Sequence, residues 1–350
     1  MIDLKSHTIL FDAPISEALE KLNLPFHLKT VFVINQKNQV IGTITDGDIR
    51  RGLLNGIDFS EKCEKFTFKD FKFLQHDNIS IEKLILWREK QIYILPLLNS
   101  SLELIEILNF NELKSFLPLT AVIMAGGFGS RLRPLTQNTP KPMLKIGDLP
   151  ILEINIKRLA LFGVREIIIC VNYLKEQIID YFGNGEKWGC NIKFIEENQP
   201  LGTIGALSLI EQIKHQQILL FNADLLSNID FEDMYCKFIE HQSQLSIASI
   251  PHKVTLPYAV LEGQNHQITS ISEKPTYTYF ANAGFYLFHT SLIERIPKNE
   301  FYNATDFVED LIQNNHLVTS FPIHGYWNDI GSIEDYKKSN EDFPNLNFFS

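Results

Sequence analysis

The stretch Ala121 to Leu144, AVIMAGGFGSRLRPLTQNTPKPML, holds the residue types that polyphosphate chemistry needs. An apolar run leads into Gly126, Gly127 and Gly129, followed by Arg131 and, ten residues later, Lys141. Glycines after a strand let backbone N–H groups approach phosphate oxygens with no Cβ between them. Arg131 and Lys141 supply the cations that a tetraanionic nucleotide requires. This is not the dinucleotide-binding fingerprint, which needs a third glycine where Leu132 stands. Nor is it a Walker A loop, which ends in Gly-Lys-Ser/Thr. Further on, Asp224 in FNADLL falls at the carboxyl end of an apolar strand, where open α/β sheets place their ligands.

Residues 121–144 closely resemble the signature of the sugar-1-phosphate nucleotidyltransferase family, and the resemblance continues in order through about residue 335. It implies attack of a sugar-1-phosphate oxygen on the α-phosphorus of an NTP, with release of pyrophosphate. By that resemblance Arg131 and Lys141 are catalytic, and Gly126, Gly127, Gly129, Gln199, Gly202 and Asp224 bind the nucleotide. Gly202, in QPLGTIGAL, would lie under the nucleobase with Gln199 beside it. Glu273 and Lys274 of ISEKP would bind the sugar and its phosphate, with Asn282 and Gly284 of NAGFYLF in the sugar-contacting segment. Asp224 and Asp329, the latter in WNDIGS, would hold Mg²⁺, whose hard octahedral preference suits two carboxylates completed by phosphate oxygens and water. Two departures stand out: Ala223 and Ala259 occupy positions where many members have glycine. No general base is required, because a phosphate monoester is already ionised near neutral pH.

The elements that must position these residues read as strands alternating with helices, the pattern of an α/β, Rossmann-like domain with a mostly parallel sheet over 120–345. Strands are expected at 121–125, 166–171, 191–196, 217–223 and 246–250, and helices near 151–162, 174–182, 203–214 and 230–241. A β-rich section follows at 258–288, then a helix at 305–314 and a strand-turn-helix around 317–340.

Residues 1–117 contain an internal repeat. Ile15-Ser16 align with Ile79-Ser80, a shift of 64 that also sets Val31–Asn35 over Leu95–Asn99 and Val40-Ile41 over Leu104-Ile105. Each copy reads as helix, strand, turn, strand and second helix, and one copy is too small to close a core alone. The repeat and GTITDGDIRRGLL resemble paired CBS domains, in which Thr45 and Asp48 would contact an adenosine ribose. The second copy is degenerate, with Glu106, Asn109 and Glu112 replacing Gly42, Thr45 and Asp48. One adenine nucleotide per chain is one reading; a structural or dimerising role, within a homo-oligomer, is the other.

A CBS pair fused to a transferase resembles the guanylyltransferases that make GDP-activated sugars, on glucosamine-1-phosphate (as in legionaminic acid synthesis) or mannose-1-phosphate. GTP is therefore the expected donor. The alternatives are a uridylyl-, thymidylyl- or cytidylyltransferase on the same fold, or a non-catalytic nucleotide-binding regulatory subunit. The net charge of −10 and pI near 5.5 argue against nucleic acid and acidic membranes as partners. No run approaches the 18 apolar residues of a membrane span, and MIDLKSHTIL does not read as a signal peptide, so a cytoplasmic protein is expected. The four scattered cysteines form neither a zinc pattern nor a disulfide framework.

Overall fold

The 64-residue repeat appears in three dimensions as two copies of one strand order. A computed structural model describes residues 2–24 and 28–349. It divides the chain into two units, Met1–Phe116 and Leu117–Ser350.

In the first unit, β1 (Thr8–Leu10) runs parallel to β2 (Val31–Ile34), which pairs antiparallel with β3 (Val40–Ile44). Helix α1 (Ile15–Leu22) lies between β1 and β2, and α2 (Asp46–Leu54) follows β3. The second copy repeats the pairing with β4 (Leu74–Gln75), α3 (Ile81–Glu89), β5 (Ile94–Leu98) and β6 (Leu104–Asn109). The match extends to details 64 residues apart. A register shift occurs at Val33/Ile34 and again at Leu97/Leu98. The turn amide Asn35 donates to the Gln39 side chain at 2.9 Å, as Asn99 does to Glu103 at 2.7 Å. Phe32, Val40, Leu98 and Ile107 form a core shared by both copies, which is how two undersized units bury their apolar faces.

One expectation fails here. The second copy has no counterpart of α2: residues 110–116 form turns and irregular chain. The Asn109 side chain, the equivalent of the Thr45 cap, accepts from Asn111 N at 3.1 Å and donates to Glu112, closing a local turn. Pro118 then ends any helix before it could lengthen.

In the second unit the central sheet is built on β7 (Thr120–Met124), with β10 (Glu166–Val171), β11 (Asn191–Glu196), β12 (Gln217–Asn222), β14 (Leu245–Thr255), β17 (Thr276–His289) and β18 (Val318–Pro322). Their order is β11-β10-β7-β12-β17-β14-β18. All neighbouring pairs are parallel except those made by β17, which is antiparallel to both β12 and β14. EIIICV and QILLFN are buried almost throughout, as expected of central strands covered on both faces. Short pairs β8 (Lys145–Ile146) with β9 (Leu149–Pro150), and β13 (Leu225–Ser227) with β19 (Trp327–Asp329), flank the sheet.

The covering helices are α4 (Ile151–Leu161), α5 (Lys175–Phe182), α6 (Phe231–Glu240), α7 (Ala304–Gln313) and α8 (Ile333–Asp342). On the sheet, Phe288 meets Phe307 of α7 edge-on, ring centres 5.6 Å apart, both rings fully buried. Truncating such a ring to Ala costs about 3–5 kcal/mol.

The helix expected at 203–214 is instead a short 3-10 turn, Gly205–Leu209. Two amides that a helix start would leave open, Ile204 N and Gly205 N, donate to the carbonyl of Tyr302 at 3.2 and 3.3 Å. A Cβ on Gly205 would lie 2.7 Å from the Glu300 carbonyl oxygen, so the 300–302 segment holds the chain in its tight turn.

Past a register shift at Ile247/Ser249, β14 and β17 leave the sheet as a two-stranded ribbon. Between these two strands in sequence comes the hairpin β15 (Val260–Gln264) and β16 (Gln267–Ser272). Residues 251–282 are exposed almost without a break, Tyr258 at 78% and Phe280 at 66%.

Candidate active site

The glycine loop follows directly from β7, one of the two inner strands of the parallel run β11-β10-β7-β12. Ala125 N still donates to Cys170 O at 2.8 Å, after which residues 126–129 adopt no regular structure. Gly126 is required by a close approach: a Cβ there would stand 2.7 Å from Glu197 Oε1 and 3.2 Å from Asn172 Cβ. Gly127 faces open space. Thr136 donates its hydroxyl to Gly129 O at 2.7 Å and pins the end of the loop.

Lys141 opens a one-turn 3-10 helix behind Pro140 and is 9% exposed. Its ammonium donates to Asp224 Oδ2 in an ion pair that spans 83 residues of sequence. Asp224 sits just past the end of β12, and Ala223 N donates to Met124 O at 2.9 Å. Its backbone carbonyl accepts from Ile330 N at 3.2 Å, and β13 next to it pairs Leu225 with Asp329. Two carboxylates distant in sequence are thus brought together by one short antiparallel pair.

Burial pushes the Asp329 carboxyl up, and the neighbouring Asp224 charge adds to this, while Lys141 and Arg131 pull the other way. The Arg131 guanidinium lies against Gly331, where a Cβ would be 3.5 Å from Nη1. The structure therefore brings together Arg131, Lys141, Asp224 and Asp329.

Asp224 Oδ1 is buried with no hydrogen-bond partner among the described residues. A buried acceptor without a donor costs about 1–3 kcal/mol. An oxygen that lacks a donor and stands beside a second carboxylate suits a hard cation. Among the described residues no three His, Cys, Asp or Glu side chains could hold a metal alone. The donor set fits Mg²⁺, which takes one or two carboxylates and completes its shell with phosphate and water.

The remaining expected residues are distributed more widely. Gln199 donates to Asn299 O at 3.0 Å and lines an open groove of about 500 Å³ with Phe194, Ile195, Asn198, Leu201 and Leu209. Gly202, at φ +80°, fits against the Tyr302 carbonyl, where a Cβ would come within 2.4 Å of the oxygen. Asn282 donates to Tyr286 Oη at 2.7 Å and accepts from Gly284 N at 2.9 Å. Gly284 packs on Leu225, the residue after Asp224. Glu273 and Lys274 are not brought to the cluster. They occupy the exposed connection from β16 to β17, beyond Thr276, itself about 20 Å along the strand from Asn282.

In the first unit Thr45 and Asp48 form a capping box on α2. Asp48 Oδ2 accepts from Thr45 N at 2.9 Å and Thr45 Oγ1 at 2.6 Å, and Oδ1 pairs with Arg51 at 2.6 Å.

Sequence reasoning passed over Glu197. It is 9% exposed, burial pushes its carboxyl up, and it abuts the glycine loop at Gly126. The available signal was an acidic residue immediately after the half-apolar strand NIKFIE, two positions from the more conspicuous Gln199.

Comparisons with known proteins agree on the second unit. The model of the family described as nucleotidyl transferase matches residues 120–345. A mannose-1-phosphate guanyltransferase from Gibberella zeae is 31% identical over 227 residues, 62% of this chain and 62% of the relative. The bifunctional protein GlmU of Methanocaldococcus jannaschii is 32% identical over 230 residues, 64% of this chain and 54% of that protein. The chain thus spans less than two thirds of the length of these relatives. The crystal structure of HddC from Yersinia pseudotuberculosis, 31% identical, superposes with a TM-score of 0.50 over 64% of this chain and 99% of that one.

Proposed function

This chain belongs to the nucleotidyl transferase family, and from that premise we propose that its second unit transfers a nucleoside monophosphate from an NTP, GTP by preference, to a sugar-1-phosphate of the glucosamine or mannose type. The observation behind the reading is the meeting of Lys141 and Asp224 beside Asp329 and Arg131, with Asp224 Oδ1 buried and unpartnered. The preference for GTP rests on the guanyltransferase among the relatives.

A sugar-phosphate oxygen bonds to the α-phosphorus while the bond from that phosphorus to the α–β bridging oxygen breaks, and pyrophosphate leaves with the electron pair. Little covalent chemistry is asked of the protein; positioning and charge stabilisation dominate. The glycine loop offers backbone N–H groups to the phosphates. Arg131 and Lys141 offset charge on the α-phosphate and the departing pyrophosphate. Mg²⁺, held by Asp224 and Asp329, would polarise the phosphate oxygens it contacts. Lys141, through its ion pair with Asp224, would orient that carboxylate for the task. Asn282 and Gly284 would face the sugar; the sugar and phosphate roles of Glu273 and Lys274 rest on the sequence resemblance alone.

In the first unit the duplicated strand order supports a CBS pair, with a single adenine nucleotide at Thr45 and Asp48. Such a ligand would displace part of the capping box described above.

A pyrophosphate-release screen of GTP, ATP, UTP, CTP and dTTP against several sugar-1-phosphates, with Mg²⁺, tests the transferase reading. Release with GTP and a hexose- or hexosamine-1-phosphate, stopped by EDTA, is expected. Preference for a pyrimidine nucleotide overturns the choice of donor; no release with any pair turns the reading toward a non-catalytic nucleotide binder.

A further inference from the structure

Asp224 and Asp329 meet on one of the smallest ladders in the molecule. β13 and β19 are three residues each and, among the described residues, pair only with one another. An isolated two-stranded pair is marginal in water, so the spacing of the two carboxylates depends on what grips the ladder from outside. On β19, Trp327 Nε1 donates to Ala283 O at 2.8 Å and Asn328 Nδ2 to Ser339 Oγ of α8 at 2.7 Å, both just ahead of Asp329. The far end of β13 is closed by Ser227, whose hydroxyl donates to Tyr326 O at 2.9 Å and accepts from Ile229 N at 3.1 Å. Beside Asp224 the grip comes from α4, where Asn155 Nδ2 donates to Leu225 O at 2.9 Å.

Asn155 is out of character with its surroundings. It is 5% exposed, and Ile151 and Ile154 of the same helix are fully buried in the cluster that also holds Leu226 and Ile330. Asn is a poor helix former, and a buried amide is costly unless it is hydrogen-bonded, so a leucine there would favour helix and core alike. What the amide supplies is a donor for the carbonyl of the residue next to Asp224. Arg158, one turn on, donates Nη2 to Ile229 O at 2.6 Å, so α4 holds the 225–229 segment at both ends. Among the described residues Asn155 bonds neither carboxylate; it acts on Asp224 through the adjoining backbone.

We propose that Asn155 is a positioning residue for the cation site: by fixing the Leu225 carbonyl it sets where Asp224 stands against Asp329, and so how tightly the pair holds Mg²⁺. The proposal rests on the reading of these two carboxylates as the Mg²⁺ ligands, and its test reads binding rather than turnover. Residues that orient a metal's ligands without touching the metal change its affinity by about 10–100-fold. Asn155 works through the backbone rather than on the carboxylate itself, so the low end of that range applies.

The melting temperature of the full-length protein, followed against Mg²⁺ concentration, yields Kd through RT ln(1 + [L]/Kd) whatever the metal-free stability of each variant. Asp329→Asn gives the background from ions bound elsewhere. Asn155→Leu, with the same branched shape but no donor, should bind Mg²⁺ about tenfold more weakly than wild type. Asn155→Ala should do the same and stands in if the leucine variant does not melt cooperatively. Ser227→Ala removes a hydrogen bond from the same strand at its other end; it should lower the metal-free melting temperature and leave Kd unchanged. A Kd equal to that of wild type in both Asn155 variants overturns the assignment, as does a loss in Ser227→Ala as large as theirs. A wild type that melts alike with and without Mg²⁺ overturns it too and takes the metal reading with it. Pyrophosphate release by the same preparation then decides separately whether the transferase reading survives.

Discussion

Two aspartates, one in each unit, show how alike residues can be told apart by their partners. Asp48 has both carboxylate oxygens engaged, by the Thr45 backbone and hydroxyl and by Arg51, all within the stretch from Thr45 to Arg51. Asp224 has one oxygen on Lys141, 83 residues away, and the other buried with nothing to accept from. Local satisfaction caps a helix and needs no ligand to complete it. Long-range pairing that leaves a buried acceptor open has a cost, which a bound cation would remove. The proposed transferase chemistry draws on the second arrangement.

The strongest test of that contrast is to delete each side of the Lys141–Asp224 pair. Lys141→Ala and Asp224→Ala should each lower kcat/KM for pyrophosphate release by about 10²-fold or more, since each removes charge stabilisation aimed at the phosphates. Near-normal steady-state rates in both variants would break the comparison at its root.

A smaller effect concerns the cation. Mg²⁺ at a hundred times its Kd should stabilise wild type by about 2.7 kcal/mol, provided only the folded state binds it. Thermal melts with and without Mg²⁺ should show a rise for wild type and little for Asp329→Asn. Equal shifts in the two proteins place the ion elsewhere.

At the first unit the loss should be one of stability. Thr45→Ala removes the cap of α2 and should cost about 1 kcal/mol, read from the denaturant midpoint of the full-length protein. Adenine-nucleotide affinity that drops in this variant with no change in the midpoint would move Thr45 from the structural to the ligand-binding side.

Glu197 provides the smallest and most pH-dependent effect. Burial raises its folded-state pKa above the unfolded one, so its contribution to stability is full below the unfolded pKa, about 4.3, and declines as pH rises through the folded value. Glu197→Gln should therefore raise the melting temperature at pH 8 and lose that advantage toward pH 4. A variant that is less stable at pH 8 would mean that interactions of the ionised form outweigh its burial.

Much of the fold was legible because the strands announce themselves. EIIICV and NIKFIE form strands over the residues read from sequence, Glu166–Val171 and Asn191–Glu196. The expected helix at 203–214 was not legible, since what prevents it is the Tyr302 carbonyl, a hundred residues away, taking its first amides. The absent second helix of the degenerate repeat was hidden for a more local reason: Asn109 can cap a turn as readily as a helix. At the site, the types Arg131, Lys141, Asp224 and Asp329 could be read in order along the chain. What sequence could not convey is that Lys274 lies far out on a ribbon, or that Glu197 turns inward while Gln199 lines the groove. Strand alternation decides the direction of a side chain only as far as the strand continues, and β11 ends at Glu196.

The most direct test of the central claim is ³¹P NMR of the full-length protein with Mg²⁺, GTP and mannose-1-phosphate or glucosamine-1-phosphate. The account predicts that the sugar-phosphate and triphosphate resonances fall together. In their place should rise the two coupled resonances of a nucleoside-diphosphate sugar and, in equal amount, pyrophosphate. GDP and inorganic phosphate in place of those products, or a spectrum that does not change, would contradict it.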